Sequence, residues 1–210
     1  MDISPNKILM KRIEEAYDNR MSVQYWSGSD YEKIDALKAD ESGDCGELIA
    51  VDFWEAAGYT VGHGGTKILE GGTFDLPITD SLGRQLNIEW KTARASSDEK
   101  LNFQHESLRL DGSCDGFGFL DIEPTGVFVT VMAADFDGSA RHKVIGRKPH
   151  KRKGSTNIFK LDWNANNLTR KKGAIAAGIA MRITKDTKMS EVKSFLKRRF
   201  DAIYNEVKGK

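Results

Sequence analysis

The chain has 210 residues, of which 39% are hydrophobic and 30% charged, with a net charge of +1 and a mean hydropathy of −0.50. That balance is ordinary for a soluble globular domain. No apolar run approaches the roughly 20 residues of a membrane helix, and Met1-Asp2-Ile3-Ser4-Pro5 lacks the basic-then-apolar layout of a signal peptide, so the chain reads as cytoplasmic. Cys45 and Cys114 stand far apart with no C-x-x-C or His cluster nearby, which argues against a disulfide framework and a structural zinc.

In chain order, Ser4-Pro5 reads as an N-cap and first helical residue opening a helix near 5–19. A second short helix is expected near 30–39, carrying Tyr31, Ile34 and Leu37. Residues 43–57 read as an amphipathic helix with Glu47 near its start, Leu48 and Val51 on its apolar stripe, Ile49 and Phe53 flanking, and Gly58 as C-cap. A short strand follows at Tyr59–Val61, then a glycine-bracketed link containing His63. Ala95–Leu110 fits both a strand, through Leu101, Phe103 and His105, and a helix, through Leu101, Gln104 and Leu108; periodicity does not decide. Gly112–Gly118 reads as loop, and 126–132 as a central strand covered on both faces. Residues 142–146 and 157–163 read as short strands, and Met189–Val207 as a helix with Val192, Phe195, Leu196, Phe200, Ile203 and Val207 on one face. Trp54, Trp90 and Trp163 are expected in the core, and Asp52, Glu55, Asp80 and Asp121 at the surface or in turns.

The chemistry concentrates in residues 73–91. A β-prone segment carries Asp75, a turn follows at Asp80-Ser81-Leu82-Gly83, and a second β-prone segment ends in Glu89-Trp90-Lys91. Pairing the two strands puts Asp75 beside Glu89. Alternation places Glu89 and Lys91 on one face and Trp90 on the other. Two carboxylates and one ammonium then converge, and a hard divalent cation is the usual way to make such a cluster favourable.

The spacing D-x(13)-E-x-K, preceded by a helix with an early Glu, a Gly58-Tyr59-Thr60-Val61 strand and a hairpin, resembles the PD-(D/E)xK nuclease superfamily with its restriction-endonuclease-like fold. The run Ile88-Glu89-Trp90-Lys91-Thr92-Ala93-Arg94 looks like the E-x-K-T-A-R segment of some small phage and bacterial nucleases of this group. The likeness covers roughly residues 41–132, and Phe74 stands where the motif's proline would be. It implies an α/β (α+β) fold with a mixed central β-sheet flanked by helices, in αβββαβ order with a C-terminal helix. One domain is expected over 1–210: a helical segment at 1–40, the catalytic core at 41–135 and a basic part at 136–210.

The resemblance implies a metal-dependent DNA endonuclease, with a Holliday-junction resolvase or a catalytically inactive DNA-binding module of the same fold as alternatives. Asp75, Glu89 and the backbone carbonyl of Trp90 would hold Mg²⁺, with Mn²⁺ as a substitute, and Lys91 would orient water and stabilise phosphate charge. Glu47 either reaches a second metal or its water, or is a helix-start acid favoured by the macrodipole. Gln104 falls where some family members place a polar residue facing the site. One site per chain implies a homodimer for double-strand cleavage.

Charge is segregated. Residues 1–135 hold 12 Lys and Arg against 25 Asp and Glu, whereas 136–210 hold 20 against 6. A phosphate-facing surface is therefore expected from Arg147, Lys148, Lys151, Arg152 and Lys153, from Arg170, Lys171 and Lys172, and from Arg94 of the motif. Removing one charge that neutralises a phosphate makes the log–log salt dependence of duplex binding shallower by about 0.9. Replacing Lys148, Lys151, Arg152 and Lys153 together by Ser should weaken binding across all sequences and flatten that slope by about two to four units. Binding curves identical to the parent's at two salt concentrations would leave the segment a solvated loop.

Overall fold

The computed structural model describes residues 4–16, 26–62, 75–95, 103–109, 114–134, 148–149, 158–163 and 168–209. Helix α1 (Pro5–Ala16) is joined to α2 (Ala39–Ala56) through a short 3-10 helix at Glu32–Ala36. Strands β1 (Thr60–Val61), β2 (Leu76–Thr79), β3 (Gln85–Arg94), β4 (Phe103–Arg109), β5 (Gly116–Glu123), β6 (Gly126–Ala133), β7 (Lys148–Pro149) and β8 (Ile158–Trp163) follow. Helix α3 (Leu168–Ala176), β9 (Ala180–Ile183) and α4 (Met189–Val207) complete the order. No helix among the described residues is long and apolar enough to cross a membrane.

The protein is a mixed α/β fold built on a six-stranded mixed sheet of order β1-β2-β3-β5-β6-β9, with a second, three-stranded sheet of order β4-β8-β7. Only β3 and β5 run parallel within the large sheet. The chain between them passes through β4, where the order αβββαβ places a helix. Alternation thus wins over helical spacing after Ala95, since Phe103, His105 and Leu108 are all buried. The β9 and α4 segments belong to the large sheet's own core, although they lie in the basic part of the sequence.

Helix α2 begins at Ala39, four residues earlier than its apolar pattern suggests, because Glu41 accepts the Lys38 backbone N–H at 2.7 Å. Its buried side is Cys45, Ile49, Ala50, Phe53 and Trp54, while Leu48 is 47% exposed. Asp52 is no free surface acid: its carboxylate accepts two Arg12 hydrogen bonds, at 2.6 and 2.7 Å, tying α1 to α2. The β2–β3 hairpin closes where Asp80 accepts the Leu82 and Arg84 N–H groups, both at 2.9 Å, and Gly83 supplies φ 76°. Arg84 then pairs with Asp201 at 2.7 Å and lies over the Phe200 and Tyr204 rings, fastening the hairpin to α4. Lys208 reaches back to Asp115 at 2.8 Å, just ahead of β5.

The strand β5, with every residue buried, runs through a segment whose glycines suggest a loop. Those glycines are packing residues. A Cβ on Gly118 would lie 1.9 Å from the Trp90 ring, and one on Gly116 would lie 2.8 Å from Ile88 Cδ1. The face of β3 carrying Ile88, Trp90 and Thr92 is covered by α2 and α4: a Cβ on Gly46 would meet Thr92 Cβ at 2.7 Å, so α2 crosses β3 closely there. Gly118→Ala should destabilise the fold by about 3 kcal/mol, because the ring it displaces has no free volume to enter. Urea unfolding checks this, and a variant as stable as the parent would show that Trp90 is not seated on Gly118.

Candidate active site

Strand β2 starts at Leu76 opposite Ile88, so from Glu89 onward one edge of β3 has no strand partner among the described residues. Asp75 stands at that corner. Its backbone N–H bonds the Ile88 carbonyl at 3.2 Å, and its Oδ2 accepts the Trp90 N–H at 2.8 Å. The acid therefore caps the first donor of the open edge. Within a strand the N–H and C=O of one residue point the same way, so the Trp90 carbonyl is directed at this corner too. Its indole is 2% exposed, on the opposite face.

Lys91 Nζ lies 2.5 Å from Glu89 Oε1 and 3.9 Å from Asp75 Oδ2. Burial works to strip its proton, but the carboxylates of Glu89, Asp75 and Glu47 outweigh that and hold the ammonium above the usual lysine value. Glu47 lies more than two turns into α2, next to the Gly46–Thr92 contact, so a helix-start acid it is not. Burial first, then the negative charges of Asp75 and Asp44, push its carboxyl up to about 7, against the pull of Lys91. Four of the residues singled out from sequence are thus brought together: Asp75, Glu89 and Lys91 on the hairpin, with Glu47 within electrostatic reach from α2.

The donor set fits a hard divalent cation: carboxylate oxygens and one backbone carbonyl converge, with no sulfur or imidazole. Asp75, Glu89 and the Trp90 carbonyl would hold it, with Glu47 behind. Among the described residues no three His, Cys, Asp or Glu side chains close into a ready-made cage; the Lys91 ammonium sits between two of the acids.

No protein-family model matches the chain, and a search of curated proteins returns no match.

Other expected residues are placed differently. Gln104 lies in β4, its backbone opposite Asp162 in the second sheet. Arg94 donates from Nη1 to the Ile34 carbonyl at 2.7 Å and the Leu37 carbonyl at 2.5 Å, and faces Asp35 at 3.8 Å. Its donors hold the 3-10 helix in place rather than standing ready for phosphate. Lys148 lies in β7, and Arg170 and Lys171 in α3; Lys172 on α3 is exposed. Arg147, Lys151, Arg152, Lys153 and His63 lie outside the described residues.

His105, on the segment read as strand or helix, and Asp121, expected at the surface or in a turn, are 2% and 0% exposed and bonded to each other at 2.6 Å. His105 alternates with the buried Phe103, the signal in the sequence that could have placed it. Cys45 is an inert bystander, its thiol pushed up to about 12 by burial.

Because the folded pKa of Glu47, about 7, exceeds its ordinary 4.5, the stability it contributes is full below 4.5 and is lost as pH rises through 7. Glu47→Gln should therefore leave stability nearly unchanged near pH 3.5, below the ordinary 4.5, and raise it at pH 8, in EDTA, by about 1–2 kcal/mol after solvent screening. A gain of equal size at both pH values, measured by urea unfolding, would refute the assignment.

Proposed function

We propose that this protein is a metal-dependent DNA endonuclease built on a restriction-endonuclease-like core. The observation that carries the reading is the convergence of Asp75, Glu89 and Lys91 at the open corner of β3. In support, the helix bearing Glu47, the short β1, the hairpin and the E-x-K strand follow one another in the order of that superfamily. The crossover through β4 is this chain's departure from it.

Asp75 and Glu89 would hold the divalent cation, with the Trp90 carbonyl adding a neutral oxygen. A bound Mg²⁺ supplies Lewis acidity, neutralising the scissile phosphate and acidifying water beside it. Lys91 places a positive charge against the phosphate oxygens and orients the attacking water. Glu47, whose carboxyl changes charge near neutrality, can accept a hydrogen bond from water or add a ligand. Strand geometry matters here, since Asp75 is aimed by the Trp90 N–H and cannot swing away without leaving that donor unpaired. Cutting both strands of a duplex would take two copies of the chain.

The test is incubation of plasmid, linear duplex and four-way junction DNA with the purified protein. Cleavage should appear with Mg²⁺ or Mn²⁺, and Ca²⁺ should support binding without turnover. Asp75→Ala and Glu89→Ala should each lower the rate at least about a thousandfold with the fold intact. Lys91→Ala should lose most activity yet keep cation binding, about 2–4 kcal/mol of transition-state stabilisation being removed. Near-normal turnover in either acid variant, or full activity in EDTA, would overturn the proposal; preference for the junction would redirect it to a resolvase.

A further inference from the structure

We infer that His105 and Asp121 are a positioning pair that seats the second sheet on β5, beside the strand that carries Glu89 and Lys91, and thereby fixes Lys91, an inference that rests on the nuclease reading for its role in turnover. Registered residues of neighbouring strands share a face, and β3 pairs with β5 as Glu89 with Phe117, Lys91 with Phe119 and Ala93 with Asp121. Phe119 and Asp121 therefore lie on the face of the large sheet that carries Glu89 and Lys91. His105 of β4 comes down on this face: its Nε2 bonds Asp121 Oδ1 at 2.6 Å, and its ring centroid lies 4.8 Å from that of Phe119. Around the pair, Phe103, Leu108, Phe117 and Phe119 are fully buried.

In such surroundings a polar pair is a poor way to gain stability. Apolar residues of the same volume hold two sheets together as well or better, and His105 Nδ1 is buried with no hydrogen-bond partner among the described residues. What the pair adds is direction: one bond of fixed length and angle selects one seating of β4 on β5. That seating matters because β4 is the next described strand after β3, and β3 from Glu89 to Arg94 is held, among the described residues, by a strand on one side alone. The Gly46–Thr92 contact braces this stretch from behind, and the His105–Asp121 bond braces the sheet that follows it in front.

The experiment compares Asp121→Asn, which keeps shape and removes charge, with the double variant His105→Leu/Asp121→Leu. Amide hydrogen exchange of Trp90–Arg94 should quicken at least about tenfold in Asp121→Asn while that of β6 stays unchanged. Single-turnover cleavage in Mg²⁺ should fall about ten- to a hundredfold, with DNA affinity in Ca²⁺ within about threefold of the parent. The double variant should unfold at no lower urea concentration and still show both defects, which a merely structural role would not produce. In a Lys91→Ala background, Asp121→Asn should cost less than about twofold more, because both changes act through one residue. Uniform exchange across β3 and β6, an unaltered rate in Asp121→Asn, or fully multiplicative losses with Lys91→Ala would each overturn the inference. A parent protein that cleaves no DNA would sink the nuclease reading, and the exchange experiment would then decide the positioning role by itself.

Discussion

Trp90 joins the two halves of the site. Its ring fills the space that Gly118 leaves open and so fixes how β3 lies on β5, while its backbone N–H holds the Asp75 carboxylate at 2.8 Å. A slip of β3 by one residue would turn Glu89 and Lys91 into the helix-covered face and bring Trp90 out. The register of the reactive groups is therefore set by burial of an indole and not by any attraction among the charges. Those charges are positioned by the core before they interact.

Once positioned, they are mutually costly. Glu47, Asp75 and Glu89 crowd one ammonium, and burial, with the charges of Asp75 and Asp44 added to it, raises the Glu47 carboxyl to about 7. A fold selected for stability alone would not place a half-buried acid beside two others. The same crowding holds the Lys91 ammonium above the usual lysine value.

The hairpin and its three reactive residues were legible because the information is local: a turn held by Asp80 and Gly83, and alternation that runs through Glu89, Trp90 and Lys91. The helix α4 was legible from its apolar stripe. What the sequence hid depends on partners far along the chain. Gly116 and Gly118 look like loop residues until Ile88 and Trp90 are seen to need their space. His105 and Asp121 look solvated until two sheets close over them, and Arg94 looks available until the Ile34 and Leu37 carbonyls claim it. Leu48 illustrates the reverse error, since helical spacing gives two nearby stripes and only packing against β3 chooses between them. The likeness to a nuclease superfamily rests on the legible, local part.

The fastening of the hairpin has a consequence in time. Arg84 is gripped by Asp201, and the segment leading into β5 is held by Lys208. A contact spanning 117 residues of chain therefore sets the tip of the β2–β3 hairpin. During synthesis, which proceeds from the N-terminus, the acids of the site exist long before the helix that steadies them. A nascent chain would carry Asp75, Glu89 and Lys91 before the contact that fastens their hairpin to α4 can form.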